Sequence, residues 1–138
     1  MNDASYELRP VGWVDSPLAE LTAAPLQGDE GAPEAWIVFR PELRPALRHL
    51  EVGDHVTVLT WLHLADRSVL EVHPRGDRRR PLRGVFSTRS PDRPNLIGLH
   101  DVVILAIDDT RLKVSELEAV DGTPVLDLKP VLGSPRDR

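Results

Sequence analysis

At 138 residues, with 41% hydrophobic and 28% charged side chains, the chain suits one folded domain with a real core and excludes two. It contains no cysteine, which excludes disulfides, thiolate zinc sites and cysteine nucleophiles. A net charge of −5 argues against indiscriminate coating of nucleic acid. No apolar run approaches the ~20 residues of a membrane span, and the first ten residues lack the basic-then-apolar pattern of a secretory signal. A cytoplasmic enzyme or binding module is expected.

Residues 11–14 predict a short strand, stopped by Ser16-Pro17. A Pro/Gly-rich loop over 25–33 follows and holds Leu26, Gln27 and Gly28. Residues 35–39, Ala-Trp-Ile-Val-Phe, are a compact run of the types that strands favour. Over 41–50, Leu43, Leu47 and Leu50 recur at helical spacing and predict a short helix. Pro45 is tolerable there only in the first turn, where its missing N–H has no partner to lose.

Residues 55–63 predict a strand with Val56, Val58, Thr60 and Leu62 on one face and Leu59 and Trp61 on the other. Apolar groups on both faces imply burial on both sides, as in a barrel wall or a subunit contact. Two further strands, 69–72 and 84–88, are expected around an arginine-rich stretch. Arg75, Arg78, Arg79, Arg80, Arg83, Arg89 and Arg93 stand there against only Asp77 and Asp92, a local charge of +5. Such segregation suits one anionic partner bound in one place. A solvated loop is the plainer reading of Arg78 to Arg80.

Residues 102–107, a turn at Asp108-Asp109, and 112–117 give a hairpin with Arg111, Lys113 and Ser115 outward. After the turn at Asp121-Gly122, residues 125–128 form a last strand before Pro130. Strict alternation would put Val125, Asp127 and Lys129 on one face, and Leu126 and Leu128 on the other. The acid and base either pair with each other or serve a ligand. Thirteen prolines leave little room for long helices. The expected fold is mainly β: a single small β-barrel of short strands with one or two short helices, its core at about 11–130.

The most unusual stretch is Thr88-Arg89-Ser90-Pro91-Asp92-Arg93-Pro94-Asn95, followed by Ile97-Gly98-Leu99. Two prolines stiffen it, so its guanidiniums can meet a carboxylate or phosphate at little ordering cost, or simply pair at the surface. His63 ends an apolar strand and is either structural or a proton acceptor. His49, His55, His73 and His100 have no metal-ligand spacing, so no metal site is expected. Glycine-rich nucleotide loops, phosphate loops and nucleophile elbows are absent.

Taken in order, Gly12-Trp13-Val14-Asp15-Ser16-Pro17, Gln27-Gly28, Leu59-Thr60-Trp61-Leu62-His63, Gly84-Val85-Phe86-Ser87-Thr88-Arg89-Ser90-Pro91, Arg93-Pro94-Asn95 and the stretch from Asp121-Gly122-Thr123-Pro124 to Lys129-Pro130 resemble one family. It is the tRNA adenine methyltransferase family with the TsaA-like β-barrel domain. The resemblance runs from about residue 11 to 130. It implies a homodimeric barrel that binds S-adenosyl-L-methionine and methylates the exocyclic amine of threonylcarbamoyl-adenosine in tRNA. Cofactor contacts would fall on Leu26, Gln27, His63, Leu64, Arg89, Leu99, Asp121, Gly122 and Thr123. Asp127 or His63 would take the amine's proton, and Arg79, Arg93 and Lys129 would contact the substrate.

The chain departs from the family at Asn95-Leu96, where Asn-Pro is usual. It departs also at His100, where a small residue is usual, and at Lys129-Pro130-Val131, where Lys-Pro-Tyr is frequent. Longer bacterial members carry an extra C-terminal domain, whereas the sequence here runs eight residues past Pro130. These differences bear on the methyl acceptor. The alternatives are a small-molecule acceptor on the same fold, or a barrel that binds the cofactor without turnover.

Overall fold

Side-chain alternation builds the wall of this protein. In a computed structural model that describes residues 3–18 and 32–133, eight strands form in chain order. They are β1 (Gly12–Asp15), β2 (Ala35–Phe39), β3 (His55–Trp61), β4 (Glu71–Val72), β5 (Arg83–Gly84), β6 (Ile97–Asp108), β7 (Arg111–Val114) and β8 (Pro124–Pro130). Six pair in the order β1-β2-β7-β6-β3-β8, every pairing antiparallel. Because β8 pairs with both β3 and β1, the sheet closes into a barrel. The seam is narrow: Gly12 opposite Val125 and Trp13 opposite Pro124. Strands β4 and β5 make a separate two-stranded ribbon.

The inward row of each strand supplies the core. Val14, Ile37, Val56, Val58, Ile104, Leu112, Val114 and Val125 are all at most 2% exposed. Full burial of such a side chain contributes roughly 1.5–3 kcal/mol, so this shared interior is the main stabilising term. The outward tryptophans are covered differently. Arg40 lies 4.6 Å over the Trp13 ring and Arg111 4.4 Å over Trp36, so stems and guanidiniums shield apolar surface while staying wet. Among the described residues no helix is long and apolar enough to cross a membrane.

Four local expectations are corrected. The helix expected over 41–50 is a 3-10 helix, Pro41–Leu47, with Pro45 inside it rather than in the first turn. Prolines at 41 and 45 donate no bond, and the tighter, irregular winding accommodates that loss. The strand expected over 84–88 stops at Gly84 and becomes a 3-10 turn, Val85–Ser87. Ser87 Oγ donates to Gly84 O at 2.8 Å and Thr88 Oγ1 to Val85 O at 2.9 Å, drawing the backbone out of the ladder.

On β8 the alternation breaks. Val125 sits opposite Thr60 and Asp127 opposite Leu59, so Leu126 is the extra residue of a bulge. Val125 therefore points into the core while Asp127 and Lys129 face out, contrary to one shared face. The hairpin strands also differ in length. β6 begins at Ile97 rather than 102, and β7 ends at Val114 rather than 117. Residues beyond Val114 leave the wall to fill its end: Leu117 and Ala119 join the core, and Leu117 N donates to Pro33 O.

Candidate functional site

Antiparallel register brings the ends of β1 and β3 together with the beginnings of β6 and β8. Trp61 lies opposite Ile97, and Trp13 opposite Pro124. Hydrogen bonds tie the loops at this end into one body. Leu62 N donates to Leu96 O at 2.7 Å, Asp66 N to Asp92 Oδ1 at 2.8 Å, and Arg93 N to Asp66 O at 3.1 Å. Arg67 adds Nε to Pro94 O at 2.7 Å and Nη2 to Asn95 Oδ1 at 3.0 Å, while its guanidinium lies 5.5 Å over the Trp61 ring. Bonds from the Ser68 hydroxyl and backbone N–H hold the Asp66 carboxyl below its usual range.

The 121–123 turn is fastened to the end of β1. Gly122 N donates to Val14 O at 2.7 Å, and Ser16 N donates to Asp121 Oδ1 at 3.1 Å. Gly122 has φ +81°, a left-handed conformation that glycine adopts without strain. Thr123 is 1% exposed and its hydroxyl donates to Val120 O, so this side chain builds the turn. Asp121 and Gly122 form the exposed part.

The loop with two guanidiniums divides their labour. Arg93 is half-buried and donates Nε to Ser90 O at 2.9 Å and Nη2 to Thr88 O at 2.6 Å and to Val85 O. It is built into the loop as a staple. Arg89 is exposed and, among the described residues, has no side-chain hydrogen bond and no ion pair. The sequence presents the two arginines alike; only the fold separates them.

His63 and Leu64 stand two and three residues past the end of β3 and are exposed, Leu64 by 54%. Leu99 is outward on β6, 42% exposed, in a row with Leu59 and Asp127 across three strands. Asp127 and Lys129 form no ion pair; Asp127 Oδ1 accepts from Leu128 N. Lys129 lies opposite Thr57, four residues back from Trp61, hence ~13 Å along the wall at about 3.3 Å per residue. Arg79 stands apart in the segment between β4 and β5. Its Nε and Nη2 grip both oxygens of Asp77 at 3.0 and 3.1 Å, which holds the Asp77 carboxyl below its usual range. Leu26 and Gln27 lie outside the described residues.

Sequence reasoning missed a buried polar chain beneath this end. His100, 4% exposed, meets Thr60 Oγ1 through Nε2 at 2.7 Å and Glu118 Oε1 through Nδ1. Thr60 is fully buried, and its hydroxyl pairs with Nε2, while the Glu118 carboxylate can only accept, so Nδ1–H donates to it. A Cβ on Gly98 would lie 2.5 Å from Thr60 Oγ1 and 2.9 Å from His100 Nε2. Residue 98 is glycine because this chain passes beside it. Glu118 thereby pins to β6 the segment that leads into the 121–123 turn. The only sequence signal was a histidine alternating inward with Val102 and Ile104.

A small closed barrel with a rigid arginine–proline loop and a backbone-fastened turn at one end defines a recognisable class. The chain matches the tRNA-methyltransferase O N-terminal domain over residues 13–134, and it belongs to that family. A Methanothermobacter thermautotrophicus protein described as a probable S-adenosyl-L-methionine-binding protein is 48% identical over 130 residues, covering 94% of this chain and 93% of its own. An S-adenosyl-L-methionine-binding protein of Archaeoglobus fulgidus is 43% identical, covering 88% and 86% respectively. The crystal structure of TrmO from Pseudomonas aeruginosa superposes with TM-score 0.74 at 31% identity. That likeness covers 99% of this chain and 61% of the Pseudomonas chain, so this chain spans about three fifths of that relative's length.

Proposed function

We propose that this domain transfers a methyl group from S-adenosyl-L-methionine to the exocyclic amine of threonylcarbamoyl-adenosine in tRNA. Family membership makes it an S-adenosyl-L-methionine-dependent methyltransferase. The residues fit the cofactor. Arg89 offers a free guanidinium for its carboxylate, Leu64 and Leu99 offer exposed apolar surface, and Asp121 and Gly122 offer a fixed polar turn. When bound, the cofactor supplies a methyl group on a positively charged sulfur. The protein's own share is then to align the acceptor, exclude water and receive the amine's proton. His63 and Asp127, both exposed, are the candidate proton acceptors, with water as the third route.

The observation that carries this reading is the contrast in the arginine loop: Arg93 locks it and Arg89 is left to bind. A cofactor-binding loop prepared in this way costs little order on association. Purified tRNA bearing the threonylcarbamoyl group should accept labelled methyl from the cofactor in the presence of the protein. No incorporation at saturating cofactor would overturn the tRNA acceptor.

The net charge of −5 and Val131 after Lys129-Pro130 favour, as second reading, a small-molecule acceptor. Methylated product from a metabolite pool but none from tRNA supports it. Cofactor binding with no product from either supports a non-catalytic barrel. A tRNA substrate would also place the protein in the cytoplasm.

We further propose a homodimer. Trp61, Leu59, Ile97 and Leu99 line the outer wall where β3 meets β6, with Ile97 and Leu99 about two-fifths exposed. Sedimentation with cofactor present should give twice 15.4 kDa; a species of 15.4 kDa at micromolar concentration would refute the dimer.

A further inference from the structure

Phe86 is 83% exposed, on the 3-10 turn that replaces the expected strand. A mobile loop would make that exposure unremarkable, but this turn is fastened from below. Val85 is 2% exposed and its N–H donates to Leu70 O at 2.9 Å. The Val85 carbonyl accepts from Thr88 N, Thr88 Oγ1 and Arg93 Nη2. The ring is therefore held out to solvent on a scaffold set before any ligand arrives. Three residues before it stands Arg83 and three after it Arg89, both exposed, with no side-chain bond or ion pair among the described residues.

A flat apolar ring flanked in the chain by two free guanidiniums, within a segment of local charge +5, has the chemistry that receives an unpaired nucleobase and its phosphate. We infer that Phe86 stacks on an unpaired base of the tRNA loop that carries the methyl acceptor, with Arg83 on an adjacent phosphate. This rests on the tRNA reading above and adds a residue to it. In the chain Phe86 stands midway between Arg83, the phosphate contact, and Arg89, the cofactor contact, which favours a stacked base close to the one methylated. A second copy of this chain is the poorer occupant. A two-fold contact centred on Phe86 would set one +5 segment against another.

Stacking and phosphate contact leave different signatures in salt. With the full chain and a stem-loop RNA bearing threonylcarbamoyl-adenosine, Phe86→Ala should weaken binding about 5- to 30-fold without changing the slope of log affinity against log salt. Arg83→Ala should lower that slope by about one phosphate contact. Phe86→Tyr should restore affinity to within about twofold and Phe86→Leu should not, since a leucine has no π-face. Cofactor affinity and sedimentation of Phe86→Ala should match the unaltered protein.

RNA binding by Phe86→Ala within about twofold of the unaltered chain overturns the inference and leaves the tRNA reading intact. A loss accompanied by dissociation to a smaller species assigns the ring to a partner protomer. A parallel loss of cofactor affinity assigns it to the cofactor, and either result overturns the inference. No RNA binding by the unaltered chain overturns the tRNA reading, and this inference falls with it.

Discussion

Replacing Gly12 by alanine is expected to lower the melting temperature by roughly 10 °C, the effect of about 3 kcal/mol on a domain of this size. A Cβ at residue 12 would lie 2.4 Å from the Val38 carbonyl oxygen and 3.0 Å from the Phe39 Cα. Both are backbone atoms of β2, at the residue opposite Gly12 and its neighbour, so no side-chain rotation relieves the clash. The strain falls where the barrel has least to spare. Gly12 is one of the two β1 residues that pair with β8, and pushing β1 away opens the seam. Thermal unfolding followed by circular dichroism measures the shift. Gly84→Ala is the control: its Cβ would meet nothing within 4 Å, and its melting temperature should stay close to the parent value. Equal melting of Gly12→Ala and parent would mean that the seam yields at no cost.

Arg89→Ala should weaken S-adenosyl-L-methionine binding by roughly 10- to 150-fold, the loss of one charge-assisted contact to a carboxylate worth about 1.5–3 kcal/mol. Its melting temperature should scarcely move, because Arg89 is exposed and holds nothing in the free protein. Arg93→Ala should behave oppositely in kind, since it removes the donor to the carbonyls of Thr88 and Ser90 and one of three donors to that of Val85, and so loosens the whole loop. Arg79→Ala should leave cofactor affinity unchanged and reduce the salt slope of tRNA binding by about one contact. That contact has first to be released from Asp77, which grips two of the three guanidinium nitrogens in the free protein. Calorimetric titration of each variant separates these outcomes. Normal cofactor binding by Arg89→Ala with early melting would make Arg89 structural and remove it from the site.

The barrel itself was legible because β2, β3 and β7 alternate strictly, and alternation states which side chains face in. Residues 35–39 match β2 residue for residue. Misreadings came where side chains capture backbone groups or where space is contested in three dimensions. Ser87, Thr88 and Arg93 turn 84–88 out of a strand by taking its carbonyls, and their partners lie up to eight residues away. The bulge at Leu126 reverses the facing of Val125 relative to Asp127, and nothing in Val-Leu-Asp-Leu-Lys announces an extra residue. At the candidate site, motif spacing picked out stretches that the strand register brings to one end of the barrel. It did not distinguish the arginine that locks the loop from the arginine left free, nor the buried threonine of the 121–123 turn from its exposed neighbours. Those distinctions are set by burial and by distant acceptors.

The Thr60–His100–Glu118 chain restricts how this sequence can drift. Exchange of His100 for a small residue would empty an imidazole's volume from the barrel end and leave the Thr60 hydroxyl without its partner. It would also deprive the Glu118 carboxylate of its donor, yet a side chain at position 98 would still be barred by Thr60 Oγ1, 2.5 Å from its Cβ. Loss of Glu118 first would strand the Nδ1–H instead. Single steps are thus disfavoured from either direction, and the cost of one change depends on whether the others have occurred, by about 0.5–3 kcal/mol for residues in contact. Positions 60, 98, 100 and 118 should accordingly vary as a linked set among descendants of this chain, with intermediates rare.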